Sequence, residues 1–112
     1  MLSREKRLNL KKDFKRVAAG SKLETKYLKL FIKLGENFQP KIGIAVSSKV
    51  FKKSTERNRA KRLAAEAFHN IYYQLPATVN IVALPKQAIL GVKSNDVLFD
   101  LEQALKHEKI IN

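Results

Sequence analysis

Residues 27–34, YLKLFIKL, place Leu28, Leu30 and Ile32 on one side and Tyr27, Lys29, Phe31 and Lys33 on the other, the period-2 pattern of a half-buried strand. Basic and aromatic side chains thus share a face. Upstream, residues 11–19 predict a short helix with Phe14, Val17 and Ala18 spaced three and four apart on one side and Gly20 as its stop. Residues 1–10 carry only Leu2, Leu8 and Leu10 as apolar side chains besides Met1, and are expected to be extended or mobile until something binds them. After a turn at GENFQP (residues 35–40), KIGIAVSS (residues 41–48) predicts a second strand, forming an antiparallel hairpin with the first. A basic connection over residues 49–53 leads to a helix capped by Ser54 or Thr55 and running to about Leu75, where Pro76 stops it. TVNIVAL (residues 78–84) predicts another strand, closed by Pro85. Ser94 then caps a last helix with Val97, Leu98, Leu101, Leu105 and Ile110 as its apolar stripe and Asp96 and Asp100 near its positive end. This order implies an α/β two-layer sandwich, with helices on a small sheet and the strands before and after the middle helix parallel.

Charge adds a partner to this outline. The 112 residues hold 23 Lys and Arg against 10 acids, a net of +13, so a compact fold carries a persistent positive field suited to a polyanion. Residues 1–62 have a net charge of +14 and residues 63–112 a net of −1, so the first half is expected to bind and the second to act as scaffold. The length suits a single domain. No apolar run approaches the ~18 residues of a membrane span, and the basic N-terminus lacks the apolar stretch of a secretory signal. With no cysteine there is neither a disulfide nor a thiolate metal site, and a cytoplasmic protein with no membrane partner is the simplest expectation.

The segment ERNRAKRLAAEAF, residues 56–68, concentrates that charge. In helical projection Ala60, Leu63, Ala64, Ala67, Ile71 and Leu75 form a core stripe. Arg57, Asn58, Lys61 and Arg62 occupy a neighbouring arc that includes His69 and is edged by Phe68 and Tyr72, while Arg59 lies farther round. Acids are too few to neutralise this arc, Arg62 with Glu66 being its one well-spaced pair. Arg and Asn together suit phosphate and sugar contacts, and the helix N-terminus after a Lys-rich loop adds amide donors. Protein-borne hydrolysis is not supported. The two histidines, His69 and His107, are 38 residues apart, and no carboxylates group at ligand spacing, so no catalytic residue and no protein-bound metal is expected.

Arg57-Asn58-Arg59-x-Lys61-Arg62 followed by Glu66-Ala67-Phe68, after a strand ending Val46-Ser47-x-Lys49-Val50, resembles the signature of the bacterial ribonuclease P protein component. Three further pieces lie in the family's order: Lys11-Lys12-Asp13-Phe14 with Val17, Ile42 to Ser47, and Ile81-Val82-Ala83 before Pro85. The resemblance implies an α+β sandwich in αβββαβα order, a small mixed sheet with three helices, and a left-handed crossover around the motif helix, against the general right-handed rule. The family's extra strand would fall near residues 23–26, where the pattern is poor. It also implies that a large RNA with bound Mg²⁺ carries the catalysis, and that the protein binds this RNA and the single-stranded 5′ leader of precursor tRNA, with no protein oligomer required.

The positions that match the family's RNA surface are Lys49, Arg57, Asn58, Arg59, Lys61 and Arg62, and the loop residues Lys52 and Lys53 are further candidates for contact with the catalytic RNA. Those assigned to the leader cleft are Lys11, Lys12, Phe14, Val17, Phe31, Lys33 and Ser47, where aromatic faces suit bases of any sequence. Phe14 and Phe31 are equally readable as core, and Lys11, Lys12, Lys15 and Arg16 as plain surface charge. The chain departs from the family pattern at Ala18, Ala65, Leu84 and the Phe51-Lys52-Lys53 connection. A general, ribosome-associated RNA-binding protein without a processing role remains an alternative; a DNA-binding domain fits less well, since no helix-turn-helix pattern is present.

Overall fold

The computed structural model describes residues 2–35 and 37–111. Helix α1 (Leu10–Ala18) is followed by strands β1 (Ser21–Glu24), β2 (Leu28–Leu34) and β3 (Lys41–Ile44), helix α2 (Ser54–Ile71), strand β4 (Val79–Pro85) and helix α3 (Ser94–His107). The four strands form one mixed sheet in the order β1-β2-β4-β3. β2 pairs antiparallel with both β1 and β4, whereas β3 and β4 run parallel across the α2 connection.

The expected hairpin between β2 and β3 does not form, because β4 lies between them. β4 is the strand most completely buried on both faces, and such a strand is best placed centrally, where neighbours on each side satisfy its backbone. The connection over residues 35–40 therefore crosses about two strand spacings, roughly 9.5 Å, which six residues span easily. β3 is also shorter than expected. Ala45 N–H still donates to Ala83 O, but Ser47 then turns the chain, its carbonyl accepting from Phe51 N–H and its hydroxyl from Lys49 N–H. That turn drives Phe51 into the core, where it is fully buried rather than part of a solvated basic connection. β1 exists despite its poor pattern, held by its ladder to β2.

Both long helices start one residue earlier in role than expected. Lys53 and Lys93 hold the cap positions, and Glu56 and Asp96, three residues on, accept from their backbone N–H groups at 3.2 and 3.0 Å. Ser54 and Ser94 are instead the first helical residues. α2 ends at Ile71, and a 3₁₀ turn, Tyr72–Gln74, covers the rest of the distance to Pro76. α3 ends before Ile110: Lys109 adopts φ 59°, and Ile110 N–H returns to Leu105 O, a closure that carries Ile111 into the core.

α2 and α3 cover one face of the sheet. Leu28, Leu30, Ile32, Ile81 and Ala83 meet Ala60, Leu63, Ala64, Phe68, Val97 and Leu101 there. α1 lies on the opposite face, over β2 and β4, where Val17, Leu8 and Val82 form a second, small cluster flanked by Phe14, Phe31 and Leu84. Residues 2–9 are packed along the sheet edge: Leu2 and Leu8 are buried, and Leu8 N–H donates to Ile42 O beside a parallel bridge between Arg7 and Ile42. The two leucines explain the difference from a mobile segment, since each is buried in an apolar cluster, Leu2 with the main core and Leu8 with Val17 and Val82. Among the described residues no helix is long and apolar enough to cross a membrane.

Candidate nucleic-acid interface

The first turns of α2 and the loop before it present the predicted basic surface. Lys49, Lys52, Lys53, Asn58, Lys61 and Arg62 are exposed, and no ion pair joins Arg62 to Glu66 among the described residues. Two arginines of the motif are engaged elsewhere. The Arg57 guanidinium donates to the carbonyls of Phe51 at 2.8 Å and Lys52 at 3.3 Å, tying the loop to the helix. Arg59 donates to Val92 O, toward the α3 side, as its position farther round the helix implied. The solvent-facing cations are Lys61, Arg62 and the three loop lysines, with exposed Arg59 beside them, and Arg57 sets the loop's position through one guanidinium nitrogen.

Phe68 and Tyr72, expected at the edge of this ridge, are core residues. A stripe of small alanines leaves α2 close to the sheet, so the large rings beside the stripe are drawn into the same core. The Tyr72 hydroxyl donates to Pro40 O at 2.6 Å, and burial is the main cause that raises its pKa, opposed in part by the Lys6 ammonium. His69 stays exposed.

The other face of the sheet holds the predicted cleft. Phe31 stands opposite Val82 on β4 and Lys22 on β1, half-exposed, with Lys29 Nζ 5.6 Å from its ring centroid. Phe14 is half-buried beside it, and Lys33 pairs with Asn80 in the next register position. Val17 is fully buried under α1, so it shapes this region only from beneath. Ser47 is exposed at the turn after β3, and Lys11 and Lys12 lie on the exposed side of α1. Tyr27 does not share the face of Phe31. It precedes the ladder, where alternation no longer governs, and its N–H donates to Thr25 Oγ1 and Asp100 Oδ2 on the α3 side. Lys29 and Lys22 belong to the cleft on geometry; the alternation around Phe31 already marked Lys29, whereas Lys22 required the β1 register. Glu24, paired with Lys22 at 4.0 Å and Lys86 at 3.7 Å, bounds the basic strip.

A groove of about 410 Å³ runs between α2 and the N-terminal segment. Arg4, Arg7 and Asn9 form one wall, Lys61 and Ala65 the other, and Ile44 lies on its floor. Nothing in the charge pattern distinguished Arg4 and Arg7 from a solvated tail; burial of Leu2 and Leu8 is what brings them here. Among the described residues no group of three or more His, Cys, Asp or Glu side chains is placed to hold a metal ion.

The sequence model of the family described as Ribonuclease P matches residues 2–109. The ribonuclease P protein component of Acinetobacter baylyi is 32% identical over 118 aligned positions, covering 96% of this chain and 89% of the relative. That of Thermotoga petrophila is 29% identical, covering 98% and 90%. Among solved structures, the ribonuclease P protein from Thermotoga maritima superposes with a TM-score of 0.78 at 27% identity, covering 90% of this chain and 96% of the other. The Staphylococcus aureus protein superposes at 0.80 with 23% identity, covering 96% and 98%, a likeness of fold. A family match over nearly the whole length, joined to this fold and this basic helix, shows that the chain belongs to the ribonuclease P protein family, the protein component of a ribonuclease complex built with the ribonuclease P RNA.

Proposed function

We propose that the chain binds the catalytic RNA through Lys49, Lys52, Lys53, Asn58, Lys61 and Arg62, and the 5′ leader of precursor tRNA through the sheet face around Phe31, so assisting endonucleolytic removal of the leader in the cytoplasm. The observation that carries this reading is the half-covered sheet face: α1 buries Val17 and Val82 but leaves Phe14, Phe31, Lys29 and Lys33 partly open. Ring faces stack on bases without choosing among them, and lysines follow the backbone charge, which suits a single strand of variable sequence. Arg57 contributes by fixing the loop that carries Lys52 and Lys53. In this reading the RNA performs the hydrolysis with Mg²⁺ held on its own phosphates.

Reconstitution tests the reading. The chain is added to the ribonuclease P RNA of its organism at low Mg²⁺, where neutralising RNA phosphates matters most, and precursor-tRNA cleavage is followed. Increased cleavage over RNA alone is expected, and no increase would favour an RNA-binding protein without a processing role. Cleavage by the chain without RNA would overturn the assignment of chemistry to the RNA.

A further inference from the structure

Lys6 is held by two tyrosines far along the sequence. Its Nζ lies 4.5 Å from the Tyr72 ring centroid and 4.9 Å from that of Tyr73, and it donates to the Tyr73 hydroxyl at 3.2 Å. The rings meet edge to face with centroids 5.4 Å apart. The same segment is fixed by Gln39, whose side-chain amide donates to Glu5 O at 2.9 Å, and by the bond from Leu8 N–H to Ile42 O. Tyr73 is 86% exposed, so its ring is not needed to fill the core. What it touches is the one cation between Arg4 and Arg7.

Those two arginines face Lys61 across the groove, and no carboxylate lines the groove among the described residues. Its floor is apolar, with Gly43 and Ile44 of β3 beside Leu8 and Leu10. Ala65, only 4% exposed, leaves the α2 wall recessed. Three cations around an apolar trough suit phosphates at the rims with a sugar or base edge between them. The occupant that matches this charge is the RNA already assigned to the α2 ridge.

We propose that residues 4–7 form a second wall of the RNA-binding surface, with Arg4 and Arg7 contacting phosphates opposite Lys61, and that Lys6, Tyr72 and Tyr73 are positioning residues that clasp this wall in place. The inference rests on the reading that the chain binds the ribonuclease P RNA. It extends that surface from one helix to the edge of the sheet.

Binding of the full chain to the RNA over a series of salt concentrations tests both parts. Combined Arg4→Ala and Arg7→Ala is expected to flatten the log–log salt slope by about 1.4 to 1.8, the loss of two phosphate contacts. Tyr73→Leu removes no charge, yet is expected to weaken binding about two- to fivefold. It should also speed exchange of the Leu8 amide hydrogen and add nothing on the Arg4/Arg7 background. Tyr73→Phe, which keeps the ring, should retain most of the affinity. Arg62→Ala serves as the reference for the α2 ridge. A flattened slope for Arg62→Ala with an unchanged one for the Arg4/Arg7 pair would remove the second wall and leave RNA binding standing. Absence of binding by the unaltered chain would remove both. An effect of Tyr73→Leu that persists in full on the Arg4/Arg7 background would show that Tyr73 acts on binding by another route.

Discussion

On the face turned to α2 and α3, the sheet presents Leu28, Leu30, Ile32, Ile81 and Ala83, all buried. On the opposite face the alternate positions, Lys29, Phe31, Lys33 and Leu84, remain partly open under a single nine-residue helix. The same strands supply both sets, so the difference comes from what covers them. Two helices of 18 and 14 residues exclude water from one side, and α1 covers only the strip around Val17 and Val82 on the other. The elements packed around a residue therefore decide whether an aromatic ring stabilises the fold or remains available to a ligand. Phe68 and Phe31 are the clearest pair: both are phenylalanines in contact with apolar clusters, but the first has no exposed surface and the second does.

Phe68→Ala should have the largest effect on this comparison. Truncating a fully buried phenylalanine costs about 3–5 kcal/mol, a large share of the roughly 5–15 kcal/mol that holds a domain of this kind together. Urea unfolding measures it. A loss below about 1 kcal/mol would mean that the α2 face does not form one continuous core with the sheet. Phe31→Ala should act differently. One stacked base is worth about 1–3 kcal/mol, and this loss should fall on precursor tRNA carrying a leader and spare substrates without one. Equal loss on both substrates, matched by a fall in stability, would place Phe31 with Phe68 and erase the functional distinction between the faces.

Much of this contrast was legible from alternation. The period of β2 identified Leu28, Leu30 and Ile32 as core and put Lys29, Phe31 and Lys33 together, and the projection of residues 56–68 found the alanine stripe of α2. Pairing partners were not legible. Local turn residues made β2 and β3 look adjacent, whereas the apolar demand of β4, written in a segment that begins 38 residues after Lys41, decided the order. Side-chain ties over long separations were hidden for the same reason. Lys6 reads as one charge among many until Tyr72 and Tyr73 arrive beside it, and nothing in the pattern shows that one Arg57 guanidinium nitrogen donates to the Phe51 carbonyl. Periodicity reports the face on which a side chain lies, and partner choice depends on elements that periodicity does not relate.

The smallest effect concerns Tyr72, which belongs to the sealed side yet touches Lys6, whose segment runs on to Leu8 in the cluster of the other face. Its hydroxyl donates to Pro40 O at 2.6 Å, joining the end of α2 to the connection between β2 and β3. Tyr72→Phe keeps the ring and its contacts and should cost about 1 kcal/mol near neutral pH, the usual net value of one such bond. Burial raises the folded-state pKa above the ordinary tyrosine value of about 10, so the folded chain keeps this proton when the unfolded chain has begun to lose it. The stabilising contribution is therefore complete below pH about 10 and is lost as pH rises from there through the folded pKa. Unfolding of the two proteins compared at neutral pH and above pH about 10 should show the advantage of the tyrosine shrinking. An advantage that stays constant across that range would mean that the hydroxyl ionises as readily in the folded chain as in the unfolded one, and that the seam between the two faces is open to water at this point.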